Sequence, residues 1–246
     1  MREFLKALST SFIVFLTLLA SEDCHGALAY RNKTYTTSSS STTGVTATEP
    51  AGTAQNDIIF AFFVGNGTLT VTPPANWNTL ASVAVPNGIT VKLYWIRRGA
   101  SAPSYAFSWD PSSYYELSIT SWSGAETTGN PYDTYTVGTP TQASPGNPNC
   151  PAVTTTVANT LVLAFGMDWN GFNGGGAGPP TGYTLVEGQT TYMDLAIAYK
   201  AKATIGSEDP SAFTNAYPTN SDIVGITVAL KPPATSARVR HRVFAD

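Results

Sequence analysis

An all-β fold is predicted from the sequence: an antiparallel two-sheet β-sandwich, jelly-roll-like, built from two similar halves. Three observations predict it. A pattern over residues 56–77 (N-D-I-I-F-A-F-F-V-G-N-G-T-L-T-V-T-P-P-A-N-W) returns over residues 159–183 (N-T-L-V-L-A-F-G through G-P-P-T-G-Y). Each copy is a solid apolar run, then a Gly/Asn break, then a Pro-Pro turn with an aromatic residue beyond it. Composition agrees: 12% of residues are charged, 11% are aromatic, and 21 Gly and 17 Pro punctuate short segments rich in Thr, Ser, Val and Tyr. Finally, helix-type periodicity is scarce beyond the first thirty residues. The 246 residues are ample to bury a core.

Residues 1–29 read as a secretory signal peptide. Arg2 and Lys6 flank the start, an apolar stretch runs from Ala7 to Ala20, and Ala27-Leu28-Ala29 supplies a small-residue site with cleavage expected before Tyr30. The apolar run is short for a membrane span, so no membrane partner is expected once the leader is removed. Retention as an anchoring N-terminal helix is the alternative. Removal takes Cys24 and His25 with it and leaves Cys150 and His241, so the fold must hold by packing rather than by an internal disulfide. With the leader retained, a Cys24–Cys150 bridge becomes a second alternative.

Residues 30–43 are polar and low in complexity, an extended or flexible segment ahead of the fold. The sandwich is expected over 44–232, in halves of about 44–124 and 148–232. A first strand covers 44–48, and Pro50-Ala51-Gly52 turns the chain. The unbroken run I-I-F-A-F-F-V at 58–64 is a strand buried on both faces. Strands at 69–71, 79–85 and 90–97 follow, the last two joined at Asn87-Gly88, a two-residue hairpin signal because both residues tolerate positive φ. Strands at 105–109 and 117–122 are joined by a turn at Asp110-Pro111-Ser112. Residues 124–151 are a bridge rich in Pro, Gly, Asn and Thr. The second half repeats the order at 153–157, 161–165, 195–199 and 223–230, offset by about a hundred residues, which marks an internal duplication. Short halves whose central strands are apolar on both faces favour one shared core. Residues 233–246 form a basic tail with Arg238, Arg240, His241 and Arg242.

The segments D-I-I-F-A-F-F, T-P-P-A-N-W, V-K-L-Y-W-I-R-R-G-A-S-A-P-S-Y-A-F-S-W, I-T-S-W-S-G and N-P-Y-D, with P-A-V-T-T-T-V-A-N-T-L-V-L-A-F-G and G-I-T-V-A-L-K-P later, resemble a poorly characterised β-sandwich family. That family occurs in bacteriophage virion and tail-associated proteins and in secreted bacterial proteins. The resemblance spans roughly residues 44–232 and implies a sandwich at a virion or cell exterior; it carries no catalytic residues over. Asn56-Asp57 and Asn76-Trp77 stand where the family more often has Gly-Asp and Gly-Trp, exchanges that turn geometry tolerates because Asn visits positive φ.

Net charge is −3, and no basic surface is suggested, so nucleic acid is not an expected partner. A Ser–His–Asp or Cys–His arrangement would need His241 to fold back from the tail, and zinc lacks its ligand cluster. Paired carboxylates for glycoside cleavage are available among Asp110, Glu116, Asp168, Asp194 and Asp222, none of them in a motif. The loop D-W-N-G-F-N-G-G-G starting at Asp168 offers oxygens for calcium from Asp168, Asn170 and Asn173, though Phe172 falls where an EF-hand needs a ligand. No other cofactor is expected. Trp169 and Phe172 on that loop, with Asn170 and Asn173 between and beside them, have the make-up of a sugar-stacking site. They read equally as aromatic plugs over the end of the sandwich. Tyr114 and Tyr115, between Asp110 and Glu116, form a second cluster with the same two readings. Asn32 and Asn66 open N-glycosylation sequons, relevant only in a eukaryotic secretory pathway. The leading expectation is a non-enzymatic, secreted or virion-associated sandwich, monomer or oligomer, that binds a surface glycan or a structural protein. A purely structural virion or appendage subunit and a polysaccharide hydrolase or lyase are the alternatives.

Overall fold

The two apolar runs are the central strands of two antiparallel sheets, one from each half of the chain. The computed structural model describes residues 27–189 and 193–234. The leader through residue 26, with Cys24 and His25, and the tail beyond residue 234, with Arg238, Arg240, His241 and Arg242, lie outside the described residues. Among the described residues no helix is long and apolar enough to cross a membrane.

The first half supplies β1 (Ala29–Thr46), β2 (Ile58–Asn66), β3 (Thr70–Thr72), β4 (Asn78–Val85), β5 (Ile89–Arg97) and β6 (Ala106–Ser123). The second supplies β7 (Tyr132–Val137), β8 (Thr141–Ala143), β9 (Asn149–Cys150), β10 (Val153–Thr155), β11 (Thr160–Asp168), β12 (Thr184–Gly188), β13 (Asp194–Lys202), β14 (Gly206–Glu208), β15 (Ser211–Ala212) and β16 (Ser221–Leu230). Sheet order is β1-β6-β2-β5-β4 in one half and β7-β16-β11-β13-β12 in the other, so the two sheets correspond strand for strand. Register corresponds too. Phe60 lies opposite Trp95 and Leu163 opposite Tyr199, while Ile58 faces Trp122 and Leu161 faces Leu230. The turns match as well: Asn56 and Asn159 have φ of 71° and 58°, and Asn76 and Gly182 have φ of 70° and 79°. Asn therefore does at Asn76 what glycine does in the other copy.

Alternate residues of the central strands build one core between the sheets. Ile58, Phe60, Phe62 and Val64 of β2 meet Leu161, Leu163, Phe165 and Met167 of β11, and all eight are fully or almost fully buried. The Phe165 ring lies 5.7 Å from Phe60 and 5.4 Å from Phe62. Each such side chain contributes about 1.5–3 kcal/mol of burial. Tyr30 of β1 stacks on Tyr199 of β13, and Tyr132 of β7 meets Trp95 of β5 edge-on, so the same aromatic pairing closes both flanks of the core.

The outer faces are covered by each half's own chain, by connections and, in the first half, by the start of β6. Ile59, Ala61 and Phe63 lie under Trp77, Phe107 and Trp109. In the second half the sheet presents small residues, Ala164, Ala196 and Ala198, and large ones come from the covering segments, Phe172, Tyr183 and Phe213. Gly166 shows the exchange most sharply: a Cβ there would lie 2.7 Å from the Phe213 ring. Free Cys150 is buried in this layer, and burial pushes its thiol up to about 12.

Three expectations change. The polar segment 30–43 is part of the long strand β1, paired along β6, because Thr and Ser suit a strand and Tyr30, Lys33 and Tyr35 alternate toward the other sheet. The bridge 124–151 contributes β7 and β8, both paired with β16. The chain does not turn at 110–112: β6 runs through it, its start pairing β3 and the end of β1. Moreover, each sheet belongs to one half, so the sandwich divides along the duplication rather than by strands alternating between sheets.

Candidate functional site

The strand directions bring both residue clusters singled out in the sequence to one end of the sandwich. β2 ends at Asn66 and β11 at Asp168, and a cross-sheet contact fixes these ends side by side. Asn87, in the turn between β4 and β5, donates from Nδ2 to Asp222 Oδ2 at the start of β16, 2.6 Å away. A continuous path of contacts then crosses the end. Ser113, next to Tyr114, donates to the Asn66 carbonyl, and Asn66 pairs with Ile89 just past Asn87. On the other side of Asp222, the Trp169 amide donates to the Asp222 carbonyl at 3.0 Å.

The 168–176 loop is held down by carboxylates. Asp168 accepts from Ser221 Oγ and from the Asn170 amide at 3.1 Å, while Asp194, opposite Asp168 on β13, accepts from the Phe172 amide at 2.6 Å. Burial pushes the Asp168 carboxyl up to about 6; the Ser221 and Asn170 hydrogen bonds oppose the rise and the Asp194 charge adds to it. The Asn170 amide group donates to the Asn220 carbonyl at 2.7 Å, and that of Asn173 to the Ala216 carbonyl at 3.1 Å. Asp168, Asn170 and Asn173, the calcium candidates, are thus engaged in shaping the loop. Among the described residues no group of three or more His, Cys, Asp or Glu is placed to hold a metal ion.

The aromatic candidates divide. Phe172 is 1% exposed and Tyr115 4%, so neither is an accessible stacking face. Phe172 plugs the outer face of the second sheet because Ala196 and Ala198 leave room there. Tyr115 lies 4.7 Å from the Trp109 ring and hydrogen-bonds Thr36 through its hydroxyl. Trp169 is half-buried against the shared core. Tyr114 remains exposed, and Tyr217 joins it, its amide bonded to the Gly171 carbonyl. Tyr217, Asn66, Asn87 and Asn220 escaped the sequence reading as site residues, and Asp222 entered it only as a candidate catalytic acid. A usable signal was present: the chain has four Asn-Gly pairs, at Asn66, Asn87, Asn170 and Asn173, and all four fall at this end.

Of the acidic residues considered for hydrolysis, Glu116, Asp168, Asp194 and Asp222 are buried, and Asp110 is exposed. Two surface grooves lie at different ends of the sandwich. One, of about 270 Å³, surrounds the 2.6 Å Arg31–Asp57 ion pair at the end opposite the Asn-rich one. The other, of about 250 Å³, is lined by Gly138, Thr141, Asn149, Pro151, Ile223 and Gly225 among others and reaches the Asn-rich end, since Ile223 pairs with Asp168. Comparison with protein-family models, curated proteins and solved structures finds no match to this chain.

Proposed function

We propose that the protein is a non-enzymatic binding module, secreted or virion-associated, whose Asn-rich sandwich end holds a surface glycan. The observation that supports this reading is that exposed Tyr114 and Tyr217 and the side chains of Asn66, Asn87, Asn170 and Asn220 all lie toward the same end of the sandwich, where the Asn87–Asp222 hydrogen bond joins the two sheets. Aromatic faces stack on the apolar side of a sugar ring, and carboxamides offer both donors and acceptors to hydroxyls. Burial of four of the five candidate acids supports binding without hydrolysis. The secreted or virion setting rests on the leader-like N-terminus and the family resemblance.

A glycan array probed with the purified protein tests the proposal, repeated with Tyr114→Ala and Tyr217→Ala. Both positions are exposed, so folding should survive. Retained glycans that are lost in either variant support the reading; an empty array, or binding indifferent to both changes, removes it. A structural-subunit reading is favoured by a different surface, the edge strand β7, where Tyr135 and Val137 are exposed beside Tyr132. Self-association abolished by Tyr135→Ser, with no glycan bound, would favour that reading instead.

A further inference from the structure

We infer that the glycan taken by this end is uncharged, and that sulfated or uronic-acid chains are rejected; the inference rests on the proposed glycan-binding role of the same end. The argument is the distribution of charge along the sandwich axis. The strands rise from Ile58 and Thr160 toward Asn66 and Asp168, which gives every residue a height. Arg97 pairs with Ile58, Lys202 with Thr160, and Lys200 with Val162, so these cations sit at the far end. Arg98 follows Arg97, Lys231 follows Leu230 opposite Leu161, and Arg31 adjoins Tyr30, whose partner Trp122 faces Ile58. Lys33 lies near mid-height, at the level of Phe60, and is occupied by Glu187 at 2.6 Å. The cation highest on the strands among the described residues is Lys92, opposite Phe63, and its ammonium is bonded to Ser82.

The Asn-rich end itself presents carboxamides, hydroxyls and tyrosines over buried carboxylates: Asp168 and Asp194 under the loop, Asp222 beneath Asn87. A ligand anion placed there would lose water without gaining a positive partner among the described residues, and would face carboxylates whose field is little screened by protein. Discrimination by an unpaired charge is a common source of specificity. An uncharged polyol meets no such penalty.

The test measures binding of the full protein to length-matched oligosaccharides in low salt: one uncharged set, one sulfated set and one uronic-acid set. The expected result is binding of uncharged members with anionic ones weaker by about tenfold or more. Thr219→Lys, an exposed change beside Asn220, is expected to narrow that gap severalfold while the melting temperature holds. Anionic chains binding as well as uncharged ones, with loss in Tyr217→Ala, would overturn the charge inference and leave the glycan site standing. A gap unmoved by Thr219→Lys and by the second exposed change, Thr68→Lys, would overturn its electrostatic basis. Absence of binding to all three sets would overturn the glycan reading and this inference with it.

Discussion

Asn87 and Asp222 stand 135 residues apart in sequence, yet the Asn87 amide donates to the Asp222 carboxylate at 2.6 Å. The contact ties the hairpin turn of the first sheet to the opening residue pair of the last strand in the second. It also brings together the two surfaces that make up the Asn-rich end, so stability and ligand placement meet in one hydrogen bond. Asp222 is 2% exposed, and a buried carboxylate deprived of a donor is costly.

Asn87 has φ of 59°, a conformation glycine adopts freely. Asn87→Gly therefore removes the amide without backbone strain, and is expected to lower urea-measured stability by about 1–2 kcal/mol. Asn87→Ala should cost more, because Ala is strained at that φ. Equal, negligible losses in both would show that the cross-sheet bond contributes little.

Lys33 reaches from β1 to Glu187 on β12 at 2.6 Å, with Glu187 almost fully buried and Lys33 half-exposed. Lys33→Met leaves the carboxylate without its cation and is expected to cost about 2 kcal/mol; adding Glu187→Leu should recover most of it. A double variant as unstable as the single would mean that the loss came from packing around Lys33, not from the unpaired charge.

Phe165 sits between Phe60 and Phe62 at the centre of the shared core. Phe165→Ala is expected to cost about 3–5 kcal/mol. Because both sheets share that core, calorimetry should record one unfolding transition that moves as a whole. Two transitions, only one of them displaced, would show that the halves fold as separate units.

Much of this arrangement was readable beforehand, and the exceptions have physical causes. The apolar runs, the Asn87-Gly88 hairpin and the positive-φ positions at Asn56 and Asn76 are local features, and each appears where the chain pattern places it. The partner of β1 is not local: Tyr30–Thr43 reads as an extended or flexible segment until β6, about eighty residues later, pairs with it. The same holds for the site. The 168–176 loop was visible as unusual, but whether Phe172 faces water or core depends on Ala196 and Ala198, which leave the hole it fills. Tyr217 lies on a separate segment that contacts such as Asn173–Ala216, Gly171–Tyr217 and Gly178–Thr214 bring alongside, none of them visible in the local sequence.

Asp168 makes stability depend on pH. Its folded carboxyl is raised to about 6 from an ordinary 3.8, so the folded protein holds a proton that the unfolded chain has released within that window. This contribution strengthens as pH falls from about 6 toward 4 and is lost as pH rises through 6. The stability difference between the protein and Asp168→Asn should follow that curve in urea melts across pH 4–8. A difference flat with pH would mean that Asp168 titrates normally.

The most direct test of the central claim, that the end joined by Asn87 and Asp222 is the ligand surface, is a hydrogen-exchange footprint. It would be recorded with and without the uncharged oligosaccharide that binds most tightly. Protection confined to residues 66–68, 86–88, 111–114, 169–176 and 215–222 is the predicted result. Protection instead along β7 around Tyr135, or in the groove beside Arg31 and Asp57, with these segments unchanged, would contradict it.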